Sequence, residues 1–266
     1  MRIQIGYRMQ FGIPAPTPML MNLHVRPDTY AFARPERLSL APHTPSELFT
    51  DAYGNASRRL VAPAGDFAIS SDAVVEVPDQ ADAVDWQAVQ HPIDALPYDV
   101  LPFLVASRYC EIDRLGEFAW KRFGHGPTGY LRAQSVCHFV HQHLQFGYAY
   151  ADATKSAHGA FLERRGVCRD FAHLAIALCR CMGIPARYAT GYLGDIGVPP
   201  VAAPMDFSAW FEVYLSGRWF TLDARHDQPR IGRVVMAYGR DAADAALTTS
   251  FGPTVLKHFE VWTSEV

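Results

Sequence analysis

The chain has 266 residues, a formal net charge of -3 and a pI near 6.4, long enough for one large domain or two smaller ones, each with a real core. Its charge balance offers no basic surface for nucleic acid or an anionic membrane, and no apolar run approaches the length of a membrane span. Neither partner is expected.

Residues 1 to about 85 alternate apolar and polar positions between turn signals. Met1 to Tyr7, Leu20 to Val25, Leu60 to Ala62, Phe67 to Ser70 and Ala73 to Val77 read as short strands, with a turn at Asp51 to Asn55. Strands at such spacing predict a small antiparallel sandwich. Met1 to Tyr7 also lacks the apolar stretch of a signal peptide. Trp86 to Pro102 holds Pro92, Pro97 and Pro102 and reads as a connector. Helical patterns follow at Ile112 to Phe123 and Tyr130 to Leu144, and Phe146 to Tyr150 leads into a further helix that carries His158.

The second of those helices carries Cys137, His138, His141 and His143, but no further ligand follows at a spacing that completes a metal site. No metal and no cofactor are expected. The five cysteines, Cys110, Cys137, Cys168, Cys179 and Cys181, are odd in number and lack CxxC spacing. Apart from Cys168 they read as buried thiols in a reducing, cytoplasmic compartment.

Cys168 stands between the turn of Gly166 and an amphipathic pattern of Phe171, Leu174, Ala175 and Leu178. Asp170 places an acid in the first turn, and Gly183 and Pro185 stop the helix. A thiol attacks as thiolate, and the unpaired amides and positive dipole end of a helix N-terminus lower a cysteine pKa. The same position equally suits a small buried apolar residue.

Beyond the helix, Trp210 to Leu215 and Arg218 to Asp223 read as strands joined by a two-residue turn, Ser216-Gly217. This register sets Trp210 opposite Asp223 and position 208 opposite Arg225, so Ser208, Trp210, Asp223 and Arg225 share a face. His226 points to the other face unless the strand ends after Asp223. His173 lies about 140° around the helix from Cys168, badly placed to share its proton. The tail, Val234 to Val266, reads as a helix, a loop and a closing strand at Val255 to Trp262, with Thr248, Thr249 and Ser250 as candidate cleft hydroxyls.

Taken in order, the blocks Gly166 to His173, Gly183 to Tyr192, Ala209 to Leu215 and Trp219 to Arg225 resemble the core of the bacterial transglutaminase-like superfamily, over roughly residues 100 to 230. The resemblance implies an α+β, papain-like core with helices packed on an antiparallel sheet, preceded by a β-sandwich domain. The division expected is residues 1–85 for the sandwich and 86–266 for the core with its C-terminal extension. Of the family's Cys-His-Asp triad, the nucleophile falls on Cys168 and the acidic orienter on Asp223. The histidine directly before the Ala-Trp pair is here Ser208, whose hydroxyl has no useful basicity near neutral pH.

The resemblance therefore implies a thiol-dependent acyl-transfer enzyme on amide or peptide bonds. In it Cys168 forms a thioester, and the Cys168 amide with Tyr148 or Tyr150 stabilises the oxyanion. Ser208, Trp210 and Arg225 line the site. The alternative is a catalytically impaired binding or structural protein, because an imidazole's separate task is unfilled. A peptide or amide substrate is the expected partner.

Overall fold

A computed structural model of the chain describes residues 1–27, 29–200 and 204–266. The chain begins with six strands, β1 (Arg2–Ile13), β2 (Thr17–Met21), β3 (Ala31–Ala41), β4 (Ser46–Thr50), β5 (Ala56–Ala62) and β6 (Gly65–Glu76). Then come α1 (Ile112–Phe123), α2 (Gly129–His143), β7 (Gln145–Phe146), α3 (Ala157–Glu163), β8 (Arg165–Gly166) and α4 (Cys168–Cys181). Six strands close the chain: β9 (Ala186–Leu193), β10 (Ser208–Leu215), β11 (Arg218–Leu222), β12 (Arg233–Gly239), β13 (Thr248–Ser250) and β14 (Val255–Glu265).

Alternation builds the sandwich. Ile3, Ile5, Tyr7, Met9 and Phe11 of β1 and Phe67, Ile69, Ala73 and Val75 of β6 turn to one face, as side chains two apart in a strand must. They meet Met19, Met21, Leu60 and Ala62 of the second sheet in one core. The sheets run β14-β1-β6-β3 and β13-β2-β5-β4.

The last strands of the chain thus belong to the sandwich. β14 pairs along β1 with Gly6 opposite Trp262, and a Cβ at Gly6 would stand 2.3 Å from the indole ring. β13 pairs with β2, so Thr248, Thr249 and Ser250 lie on an outer strand and not in a cleft. A boundary at residue 85 therefore does not cut the chain into two separate pieces: residues 248–265 return to complete both sandwich sheets. The expected tail helix is absent as well. Asp241 accepts from the Ala243 amide at 2.8 Å, and Asp244 accepts from the Arg240 amide at 3.0 Å, local bonds that compete with a helix.

The other half is an α+β core. Its sheet, β11-β10-β9-β12, is antiparallel throughout. The β10–β11 turn places Ser216 (φ 48°) and Gly217 (φ 79°) in the left-handed region, which the right-handed twist of a two-residue hairpin favours. α4 is buried along nearly its whole length, with α1, α2 and α3 on one side and β9 and β10 on the other. The proline-rich connector holds two short 3-10 turns, Ile93–Ala95 and Leu101–Phe103. Tyr192, Phe207, Val234 and Met236 pass from the core sheet into the sandwich cluster, fusing the halves. Among the described residues no helix is long and apolar enough to cross a membrane, and all five cysteines are free thiols.

Gly191 lies in β9 opposite Ser208 of β10 and Val235 of β12. A Cβ there would fall 2.0 Å from the Val234 carbonyl oxygen, a backbone atom held by the sheet. Gly191→Ala is expected to cost at least the ~1–3 kcal/mol typical of overpacking. Urea unfolding checks this, and a variant as stable as wild type would show that β12 shifts freely.

Candidate active site

Cys168 is the first residue of α4, and its position is set by a cap. The Asp170 carboxylate accepts from the Val167 amide at 2.8 Å, tying the third helical residue back to the residue before the helix. Cys168 is half-buried against the helical core. The Ala209 amide of β10 donates to its sulfur, and the Arg225, Asp206 and Asp223 charges lie within electrostatic reach. Burial, with Asp206 and Asp223 adding to it against Arg225, pushes the thiol up to about 11. The helix end that a sequence reading expects to activate this thiol is outweighed by desolvation.

Asp223 follows directly on β11, which ends at Leu222. There the chain leaves the strand and closes a tight turn: the Asp227 amide donates to the Asp223 carbonyl at 2.7 Å, and Asp227 takes φ 51°. The Asp223 side chain is buried, with Oδ1 accepting from the amides of Arg225 (3.0 Å) and His226 (3.2 Å). Oδ2 accepts from Arg233 Nη2 at 3.0 Å and faces His226 Nδ1 at 2.9 Å. Burial alone would raise this carboxyl. The Arg233 charge and the bonds from His226 and Arg233 overcome it and hold the group well below the usual carboxylate range.

The strand end also decides where His226 goes. A continuing strand would send it to the far face; the turn brings it beside Asp223 instead. α2 grips this turn from outside. Gln134 donates to Asp227 at 3.0 Å, His138 Nδ1 meets the other Asp227 oxygen at 2.6 Å, and His141 Nδ1 donates to the Arg225 carbonyl at 3.0 Å. His143 donates elsewhere, to the Phe161 carbonyl at 2.8 Å. The histidine cluster on this helix thus serves backbone and carboxylate, and among the described residues no group of three ligands is placed for a metal.

A cleft of about 420 Å³ opens at this point, with Ser208, Arg225, His226, Tyr148, Asp206 and Arg230 in its wall. Thr263 and Ser264 of β14 supply the hydroxyls from the tail. Ser208 and Arg225 both line the cleft, although the β10–β11 pairing ends at Phe211 opposite Leu222 and does not extend to them. Arg225 stacks on Phe146, 3.8 Å from the ring centroid. Trp210 does not line the cleft: its indole lies beneath the Arg233 guanidinium, 4.7 Å away, beside a separate cavity of about 370 Å³. Tyr148 lines the cleft, whereas Tyr150 lies beneath Arg165, 5.2 Å from its guanidinium carbon, outside it. His173 is a core residue, stacked on Tyr109 at 5.1 Å and accepting from the Ala242 amide at 3.1 Å; burial pushes its imidazole well below the usual range. His158 is outside the cleft wall.

Sequence reasoning missed Arg233 and Asp206, and it named Thr248, Thr249 and Ser250 of the tail where Thr263 and Ser264 line the cleft. Arg233 sits ten residues beyond Asp223 in an apolar strand, and only the fold shows that it bonds Asp223 and also Asp82, at 2.9 Å, in the stretch that follows β6. No local pattern marked it.

The transglutaminase-like superfamily model matches residues 121–224, a span that holds Cys168, Ser208 and Asp223. The crystal structure of a "putative cysteine protease" from Cytophaga hutchinsonii superposes with a TM-score of 0.89 at 34% identity, over 99% of this chain and 90% of that one. The uncharacterized protein ML0607 of Mycobacterium leprae is 26% identical over 222 residues, 79% of this chain and 77% of that protein. The uncharacterized protein Rv2569c of Mycobacterium tuberculosis is 29% identical over 230 residues, 78% of this chain and 73% of that protein.

Because the folded Asp223 carboxyl titrates below its unfolded value of about 3.9, its contribution to stability is present above that value and is lost as pH falls through the lower, folded one. Arg233→Met leaves Asp223 and Asp82 without their shared cation. A loss of about 3–5 kcal/mol at neutral pH is expected, with acid unfolding beginning at higher pH than in wild type. Urea melts across the acid range measure both, and unchanged melts would show that Asp223 does not depend on Arg233.

Proposed function

The chain belongs to the transglutaminase-like superfamily, and we propose that it is a thiol-dependent acyl-transfer enzyme acting on amide or peptide bonds, with Cys168 as nucleophile. The observation that carries this reading is the placement of Cys168 in the first turn of α4, with the Ala209 amide on its sulfur and Asp223 and Arg225 close by. That is the arrangement of a thiol at a helix end, with a backbone amide against it and charges at hand.

The chemistry takes the ordinary course of such a site. The Cys168 sulfur attacks the amide carbon, the amine leaves, and a thioester remains until water or a second amine takes the acyl group. The Cys168 backbone amide stabilises the oxyanion, and the Tyr148 hydroxyl is the donor in the cleft wall best placed to join it. Water is the acceptor we favour, because it stands at enormous excess over any amine.

A second reading, a binding protein that keeps the cleft, is favoured by one specific pair of observations: Ser208 at the family's histidine position, and a thiol held near pH 11. Two measurements separate them. Wild type is expected to cleave dye-labelled casein, or to incorporate a fluorescent primary amine into it, with the signal abolished in Cys168→Ala; equal signals from the two proteins would leave the binding reading standing. Ser208→His restores an imidazole at the family position. It is expected to draw the pH midpoint of Cys168 alkylation by iodoacetamide from about 11 to below the free-cysteine value of about 8.5, as followed by mass spectrometry of the Cys168 peptide.

A further inference from the structure

The core sheet has a second face. Ala209, Phe211, Val213 and Leu215 of β10 turn to the helical core, so Trp210 and Glu212 turn away from it, as neighbours along a strand must. There, between the sheet and the stretch that follows β6, lies the cavity of about 370 Å³. It is distinct from the cleft at Ser208, and Arg230 stands in the wall of both.

The polar atoms of this wall are unevenly matched. Its carboxylates are already bonded. Asp82 Oδ1 accepts from Arg233 Nε at 3.1 Å, and Oδ2 accepts from the same nitrogen at 2.9 Å and from the Arg230 amide at 2.9 Å. Glu212 Oε1 accepts from the Tyr238 hydroxyl at 2.9 Å, and Oε2 from Arg187 Nη2 at 2.6 Å. The Tyr30 hydroxyl accepts from the Val235 amide at 3.0 Å and donates to the Arg233 carbonyl at 3.1 Å. Three donors are left over. Trp210 Nε1, Arg233 Nη1 and Arg230 Nε are buried without an acceptor among the described residues, in residues only 1%, 9% and 4% exposed. Buried polar groups are nearly always bonded, so three spare donors in one wall call for an acceptor that the chain itself does not supply.

We propose that this cavity is a binding site for a carboxylate ligand, held by the spare N–H groups of Trp210, Arg233 and Arg230. A carboxylate offers acceptors only, about four lone-pair sites on two oxygens, which is enough for three N–H groups. The wall's own charges cancel, since the guanidiniums of Arg230 and Arg233 face the carboxylates of Asp82 and Glu212. A monoanion held by directed hydrogen bonds therefore fits, and a doubly charged phosphate is not drawn in. The rings of Tyr30, Trp210 and Tyr238 give the wall its apolar part, and the volume is that of a small-ligand site. Arg233 also holds Asp223, through Nη2 at 3.0 Å. A carboxylate bound here shares a cation with the candidate active site without entering its cleft.

The test is a titration of the whole chain, labelled with nitrogen-15 and followed by NMR. The probes are benzoate as a free aromatic acid and N-acetylglycine as a peptide C-terminus, each set against its amide, with phosphate as a further control. Five tryptophans give five indole N–H signals. That of Trp210 is the one missing from Trp210→Phe, which keeps a ring and removes the donor; should that variant not fold, it is the indole slowest to exchange with deuterium, as burial requires. At least one acid is expected to move the Trp210 signal downfield and saturably, binding at least about 10-fold more tightly than its amide, and which acid does so tells a free acid from a peptide end. Calorimetry on Trp210→Phe and Arg230→Met is expected to show at least about 10-fold weaker binding in each, the loss of a hydrogen bond to a charged group. An unmoved Trp210 signal, equal binding of acid and amide, or full-strength binding in either folded variant overturns the site. Phosphate binding as tightly as the acids would mark an adventitious ion only and would overturn the carboxylate assignment.

Discussion

The Asp223 carboxylate is buried and charged, and every donor around it comes from a different part of the chain or from the turn it organises. The Arg233 guanidinium reaches it from β12, the His226 ring and two backbone amides from the turn after β11. An isolated buried carboxylate would cost several kcal/mol and would take up a proton instead. Here the surrounding charge and hydrogen bonds hold it ionised. Because Arg233 also bonds Asp82, 2.9 Å away in the stretch that follows β6, the same guanidinium fastens the sandwich side of the molecule to the site. The cleft, the turn and the junction of the two halves therefore share one electrostatic centre.

That centre is braced by α2. His138 and Gln134 hold Asp227, and His141 holds the carbonyl side of Arg225, so the turn that carries Arg225 and His226 is fixed at both ends. Of the histidines that look like scattered metal ligands in the sequence, His138 and His141 bond the carboxylate and backbone of this turn, and His143 bonds α3. Such a turn has no ladder to satisfy its polar groups, which is why a helix rich in donors packs against it.

The thiol illustrates the opposite balance. A helix N-terminus favours thiolate, yet Cys168 is desolvated by its packing and has Asp206 and Asp223 near it besides Arg225, and the net effect is a protonated sulfur. Placement at a helix end thus fixes the position of the thiol without supplying acidity. Arg225 cannot take the thiol proton, since a guanidinium stays charged; its stacking on Phe146 makes it a fixed charge at the cleft wall.

Much of this was legible in the linear order of residues. Alternation marked the strands of the sandwich, Gly166 and Gly183 bounded α4, and Ser216-Gly217 set the hairpin of β10 and β11. These are local properties, governed by periods of two and 3.6 residues and by a few turn conformations. What lay beyond them was non-local. Whether β11 continues past Leu222 depends on the buried partners of Asp223, so the sequence left the face of His226 open and placed Trp210 in the cleft. Only the fold brought Arg233 to Asp223, closed β14 onto β1 and set Thr263 and Ser264 beside Ser208. The sequence by itself determined which residues could be nucleophile and acid; tertiary structure decided which imidazole the acid holds, because a buried charge is satisfied by whatever donors packing delivers and spacing along the chain does not encode them.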